Sequence, residues 1–235
     1  MLPSNRVLFQ ISIALCFIAS YNGEIVSNIN VQHITRSDNY VRRHYKQPYI
    51  NTGDVVNIQL YYECLCGDCR HFDTTQFKTV VVQLNKYLNI RTYPYGNAMT
   101  IDDNGKYKFK CQHGPSECYG NMLHACALDV IKNQTQALLY NSCMMDFNQK
   151  NRGSDDIAAE ECGESMKIDA DPIKACAKGD KGAKLLKHYG DESQKAHFQY
   201  VPYILVNGKE SNGSNFMKDV CAAFADPPPP CIAVL

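Results

Sequence analysis

Twelve of the 235 residues are cysteine, and no other feature narrows the possible folds as much. A chain of this length can bury a core without covalent staples, so many cysteines point to an oxidising compartment, where disulfides persist. One of the twelve, Cys16, lies in the apolar run 7–19 that follows Arg6. That run is short for a bilayer span and has the form of a secretory signal peptide over 1–20, with an uncleaved anchor as the alternative. Its removal leaves eleven cysteines, an odd number, so at least one is expected outside the disulfides.

Residues 21–54 are polar and irregular, with a basic cluster at Arg42, Arg43, His44 and Lys46. They read equally as a leader or pro-segment and as a solvated arm. Lys and Arg together number 24, as do Asp and Glu, for a net charge of zero. That balance argues against a nucleic-acid partner or a polybasic membrane contact. No second apolar stretch approaches spanning length, so no stable membrane anchor is expected. Two sequons, at Asn133 and Asn212, become glycosylation sites if the chain enters the secretory route.

From 55 onward the pattern is mixed α/β. Residues 55–62 (VVNIQLYY) alternate β-branched and aromatic side chains as a strand does. Beyond Cys69, apolar residues recur every three to five positions from Phe72 to Leu88, predicting one helix, and 89–94 predict a second strand. Asp103-Asn104-Gly105 marks a hairpin turn between 98–101 and 106–110. Residues 111–190 read as a helical insertion holding Cys111, Cys118, Cys126, Cys143, Cys162 and Cys176. Six cysteines allow 15 pairings, so connectivity stays open. A strand over 200–206, a helix over 215–225, four prolines and Cys231 complete a domain of 55–231, followed by a tail of 232–235.

The chemistry concentrates at Cys66-Gly67-Asp68-Cys69, between strand and helix. A helix N-terminus stabilises a thiolate there, making Cys66 the nucleophile that attacks a substrate disulfide and Cys69 the thiol that resolves the mixed disulfide. Asp68 opposes the Cys66 thiolate; Arg70 and His71 are expected to favour it. The same spacing serves zinc, with Cys64, His71 or His113 as further ligands, or a structural disulfide. No second Cys-x-x-Cys is present, and the strand-to-helix setting favours redox chemistry. In thioredoxin-like folds a cis-proline opens a later strand beside the dithiol, and Val201-Pro202 stands in that order.

A longer string adds to this reading. Cys111-Gln112-His113-Gly114, Glu117-Cys118, Asn121 and Cys126 resemble the signature of the gamma-interferon-inducible lysosomal thiol reductase family. The flanks are similar as well: Leu60-Tyr61-Tyr62-Glu63 before the dithiol, Tyr93-Pro94-Tyr95-Gly96-Asn97, and Tyr200-Val201-Pro202-Tyr203 with Val206-Asn207-Gly208-Lys209. The resemblance implies a thioredoxin-like α/β fold with a disulfide-stapled helical insertion, and a reductase of protein disulfides in acidic endosomes or lysosomes. It implies Cys66 and Cys69 as the redox pair, disulfide-containing proteins and a thiol reductant as partners, and no bound cofactor or metal. Oxidase or isomerase activity, or a secreted interaction protein, are the alternatives, since direction depends on potential. Eight cysteines occupy family-like positions and can form four bridges: the six of the insertion with Cys221 and Cys231. Cys64 stands where the family usually has a small non-cysteine residue, and is expected to be a buried thiol rather than a third redox partner. Gln112, His113 and Glu117 are expected to hold the signature turn, and Tyr61 and Tyr62 to be core residues. At pH ~5 an unperturbed thiol is about 0.03% thiolate, so acid activity requires a depressed pKa at Cys66.

Overall fold

A computed structural model describes residues 55–147 and 153–235. The expected signal peptide and leader lie outside the described residues. Strand β1 (Val56–Tyr62) is central in a sheet of order β2-β1-β5-β6. Strand β2 (Leu88–Pro94) pairs with it in parallel, from Val56 opposite Leu88 to Tyr62 opposite Pro94. Strand β5 (Tyr203–Val206) pairs with its other edge antiparallel, with Tyr61 opposite Tyr203. Strand β6 (Lys209–Ser211) returns along β5. A parallel pair requires a crossover, and here the dithiol segment begins it.

That crossover departs from the single helix expected. It runs as α1 (Gly67–Phe72), a π-helical turn (Asp73–Phe77), α2 (Lys78–Leu84) and a short 3-10 turn (Asn85–Tyr87), so that Leu88 opens β2. Thr74 and Thr75 donate their hydroxyls to the carbonyls of Arg70 and His71, at 2.8 and 2.6 Å, the back-bonding that locally deforms a helix. The five-residue step from Phe72 to Phe77 suits the wider π turn, and both rings are buried against Phe216. Val56, Ile58, Leu60 and Tyr62 meet this layer in one core with Val80, Val81, Leu84 and Val220. On the other face Tyr61 stacks on Tyr93, with centroids 4.4 Å apart.

A hairpin of β3 (Met99–Asp103) and β4 (Lys106–Lys110) follows, turning at Asn104 and Gly105, both with positive φ, as an Asn-Gly hairpin turn requires. Five helices come next: α3 (Pro115–Val130), α4 (Gln134–Phe147), α5 (Asp156–Met166), α6 (Asp171–Lys178) and α7 (Asp180–Lys195). The helical stretch therefore extends past the expected 190. It has its own core around Leu123, Tyr140, Met144 and Ile173. Disulfides Cys126–Cys176 and Cys143–Cys162 join its helices, Cys111–Cys118 closes the loop before α3, and Cys221–Cys231 ties α8 (Phe216–Ala222) to the C-terminal segment. Helix α8 is shorter than the 215–225 expected. Strand β5 starts at Tyr203 rather than 200, since Pro202 has no N–H to give the ladder; the Val201-Pro202 peptide bond is cis. Among the described residues no helix is long and apolar enough to cross a membrane.

Candidate active site

Three cysteines among the described residues carry no disulfide: Cys64, Cys66 and Cys69. Cys66 occupies the N-cap of α1 in an extended conformation, and Arg70 N–H donates to its carbonyl at 3.0 Å. The chain thus leaves the carboxyl end of β1 and enters the helix at the thiol, the end of a strand where open α/β sheets place their sites. The Cys66 thiol is half-buried and its pKa is lowered to about 6. The Cys69 thiol hydrogen-bonds it, and the Cys69 and Asp68 backbone N–H groups assist, against burial and the Asp68 carboxylate. Arg70 and His71, expected to favour the thiolate alongside the helix terminus, are not among its leading causes, whereas the backbone N–H groups of that terminus are. Cys69 is buried, and its pKa is driven well above the usual thiol range by burial and by the same hydrogen bond. One sulfur is prepared as a thiolate and the other as its proton-bearing partner.

The Cys66 Sγ lies 3.9 Å from the Val201 carbonyl oxygen. The cis Val201-Pro202 bond therefore sits beside the dithiol, although the two are far apart in sequence. Asp68, His71, Tyr200, Pro202 and Asn212 line an adjoining groove of about 490 Å³.

Behind the dithiol the structure joins residues that sequence reasoning left separate. Glu63 is fully buried, and its Oε2 accepts Asn97 N–H at 2.9 Å. Gly96 makes this possible, since a Cβ there would stand 2.2 Å from Glu63 Oε2. Burial pushes the Glu63 carboxyl up to about 7; the Asn97 bond lowers it, while Glu117 and Cys66 add to the rise. His113 donates its backbone N–H and its Nδ1 to the Glu117 carboxylate, at 3.0 and 2.6 Å, and Nδ1 also lies 3.5 Å from Glu63 Oε1. His113 thus holds its own turn, as expected, and also reaches the residue three positions before Cys66. Glu63, His113 and Glu117 place one donor atom each within 4.8 Å of one another, the donor set among the described residues that could hold a cation. Gln112 accepts from Asn97 Nδ2 at 2.6 Å, away from the thiols. Glu63 and Asn97 belong to the quoted motifs, but their spacing carries no sign of a meeting.

Cys64 faces the insertion. Its N–H donates to Asn121 Oδ1 at 2.9 Å, its thiol to the Glu117 carbonyl at 3.6 Å, and a Cβ on Gly120 would stand 2.5 Å from its sulfur. Burial raises its pKa well above the usual range. Tyr61 and Tyr62 are buried, as expected, and the Tyr62 hydroxyl bonds His124 Nδ1 at 2.8 Å.

Residues 57–166 match the family described as gamma interferon inducible lysosomal thiol reductase. The mouse protein of that name is 33% identical over 192 residues, 74% of this chain and 74% of its own length. GILT-like protein 2 of Drosophila melanogaster is 36% identical over 157 residues, 66% of this chain and 70% of its own. The Carassius auratus reductase is 35% identical over 162 residues, and the match spans 61% of its length. Among solved structures, MdbA, a thiol-disulfide oxidoreductase from Actinomyces oris, superposes with a TM-score of 0.54 at 15% identity over 75% of this chain and 83% of its own. Oxidised BdbD from Bacillus subtilis gives 0.51 at 14% identity over 68% and 81%. These two share the fold, which is the thioredoxin-like α/β arrangement expected. The chain belongs to the gamma interferon inducible lysosomal thiol reductase family.

Proposed function

We propose that the chain reduces protein disulfides at acid pH, in the secretory or endosomal and lysosomal route, through Cys66 and Cys69. The observation that carries this reading is the asymmetric thiol pair: with a pKa of about 6, Cys66 is roughly a tenth thiolate at pH 5, more than two orders of magnitude above an unperturbed thiol. Its thiolate attacks one sulfur of a substrate disulfide, forming a mixed disulfide and expelling the first substrate thiolate, which takes a proton from solvent. Cys69 then loses its proton and attacks Cys66 Sγ, closing the Cys66–Cys69 disulfide and releasing the second substrate thiol. Two electrons have passed to the substrate, and an external thiol reductant returns the pair to the dithiol. Pro202 and the Val201 backbone border the groove beside Cys66, where an extended substrate strand would lie. The exposed sequons at Asn133 and Asn212 and the relatives' names support the route.

One feature favours a second reading. A thiolate stabilised at Cys66 also stabilises the reduced protein, which is the property of a disulfide oxidant. Insulin reduction at pH 4.5 and 7, driven by a dithiol reductant, separates the two. A reductase accelerates the reaction at pH 4.5 above the reductant alone; an oxidant gives no acceleration and instead oxidises reduced peptides. Cys69→Ser is expected to accumulate a mixed disulfide on Cys66, and Cys66→Ser to abolish turnover. A folded Cys69→Ser protein that traps nothing would overturn the assigned roles.

A further inference from the structure

The second sequon stands at the redox groove. The wall facing α1 contains Asn212, Gly213 and Ser214 together with Pro202, and the Val201 carbonyl on that wall touches Cys66 Sγ. Asn212 is exposed. Its Oδ1 accepts the Ser214 N–H at 3.0 Å and the Ser214 hydroxyl at 2.7 Å, so the two recognition residues of the sequon are already folded onto each other.

The loop that carries them is held in place. Gly213, at φ +73°, lies so close to the core that a Cβ would stand 2.8 Å from Phe72 and 2.9 Å from Ile204. Its N–H donates to Ser211 Oγ at 3.1 Å, and that hydroxyl donates in turn to Asp219 at 2.5 Å. A group attached to Asn212 therefore stays at the rim of the groove. Asn133, by contrast, is exposed just before α4, and its Oδ1 accepts the Gln136 N–H. It lines no part of this groove.

We infer that Asn212 carries an N-linked oligosaccharide that screens the groove beside Cys66 and restricts the protein to small disulfides and thin, extended polypeptide substrates. This rests on the secretory route and the reductase activity proposed above. In the modification, Asn212 Nδ2 bonds to the anomeric carbon of a polyprenyl-pyrophosphate-linked oligosaccharide. The polyprenyl pyrophosphate leaves, and one amide proton passes to a base of the transferase. A branched oligosaccharide is wide compared with a groove of about 490 Å³, so it obstructs a folded substrate while a single strand can pass beneath it.

The test uses the full chain secreted from a eukaryotic host, as wild type and as Asn133→Gln. Peptide mass analysis reads occupancy at each sequon. An endoglycosidase that leaves a single N-acetylglucosamine then trims Asn133→Gln protein, and reduction is measured on a tripeptide disulfide and on a folded disulfide-bonded protein. The expected result is occupancy at Asn212, a several-fold faster reduction of the folded protein after trimming, and no change with the small disulfide. Occupied Asn212 with no gain on trimming overturns the screen. An occupied Asn133 with a bare Asn212 overturns it and leaves the secretory route standing, whereas two bare sequons count against both. No reduction of either substrate, trimmed or not, overturns the reductase reading and the screen with it.

Discussion

Asp68 lies inside the redox motif, exposed, with its carboxylate opposing the negative charge on Cys66. The motif therefore does not hold the proposed nucleophile at the lowest pKa the backbone allows. Asp68→Asn keeps the shape and the N–H that helps the thiolate. It is expected to lower the Cys66 pKa by roughly a few tenths of a unit, as removal of one solvated charge does. Thiolate absorbance followed against pH reads this directly, and an upward shift would show that the carboxylate acts otherwise. Cys64 presents the opposite case. Two residues from Cys66 in sequence, it is committed to α3 through Asn121, Glu117 and Gly120. Cys64→Ala is expected to lower stability by about 1–2 kcal/mol, from the packing lost around the sulfur. The yield of mixed disulfide trapped by Cys69→Ser should stay the same in this background; a changed yield would make Cys64 a participant. The odd cysteine of the sequence thus becomes a packing thiol for a physical reason: β1 ends at Tyr62, so strand alternation no longer sets which way residue 64 points.

At the scale of elements, the insertion is held by bridges of different reach. Cys126–Cys176 spans 50 residues and Cys143–Cys162 spans 19. In the chain-entropy account these loops correspond to about 4 and about 3 kcal/mol. Replacing Cys126 and Cys176 together by alanine should therefore cost more stability in urea than replacing Cys143 and Cys162. The reverse order would show that local packing outweighs loop length. Which cysteines pair was not legible in the sequence, because helix packing sets it. What local chemistry determines was legible: β1 from its alternation, the hairpin from Asn104-Gly105, the dithiol turn from its place between strand and helix. The break in the crossover helix was not, since it depends on two threonine hydroxyls bonding back to the chain and on Phe77 reaching Phe216. Nor was β6, whose three residues are too few to show a period. The contact of His113 with Glu63 joins segments fifty positions apart, so no local pattern shows it.

For the whole molecule, three buried titratable groups at the junction of sheet, crossover and insertion bear on the pH at which the fold is most stable. Asp73, in the π-helical turn, is raised to about 7 by burial, with Asp146 adding to the rise and Ser142 and Lys78 opposing it. Glu63 is likewise raised to about 7. His124 is lowered to about 3 by burial. It is held neutral between the Tyr62 hydroxyl, which donates to Nδ1, and Ser154, which accepts from Nε2 at 3.0 Å. The signs differ. Between about pH 4 and 7 the folded protein keeps two carboxyl protons that the unfolded chain has released, so these groups lose stability as pH rises through that window. His124 acts in reverse: from about pH 6.5 down to 3 the unfolded chain takes up a proton that the folded protein does not, and stability falls with pH. Two groups outweigh one between about pH 4 and 6, and below pH 4 only the histidine still acts. The three groups therefore place maximum stability near pH 4, in the acid range where a Cys66 pKa of about 6 still leaves a useful thiolate. Urea midpoints are expected to rise as pH is lowered from about 6 to about 4 and to fall again below that; above pH 6 the Cys66 thiol, lowered to about 6, acts in the opposite sense and adds stability as pH rises. Asp73→Asn, which removes one of the two acid-favouring groups, should flatten the rise by a few kcal/mol at most, on the order of the linkage a buried carboxyl carries. Midpoints that climb steadily from pH 4 to 8 in the wild type would show that Asp73 and Glu63 are ionised in the fold.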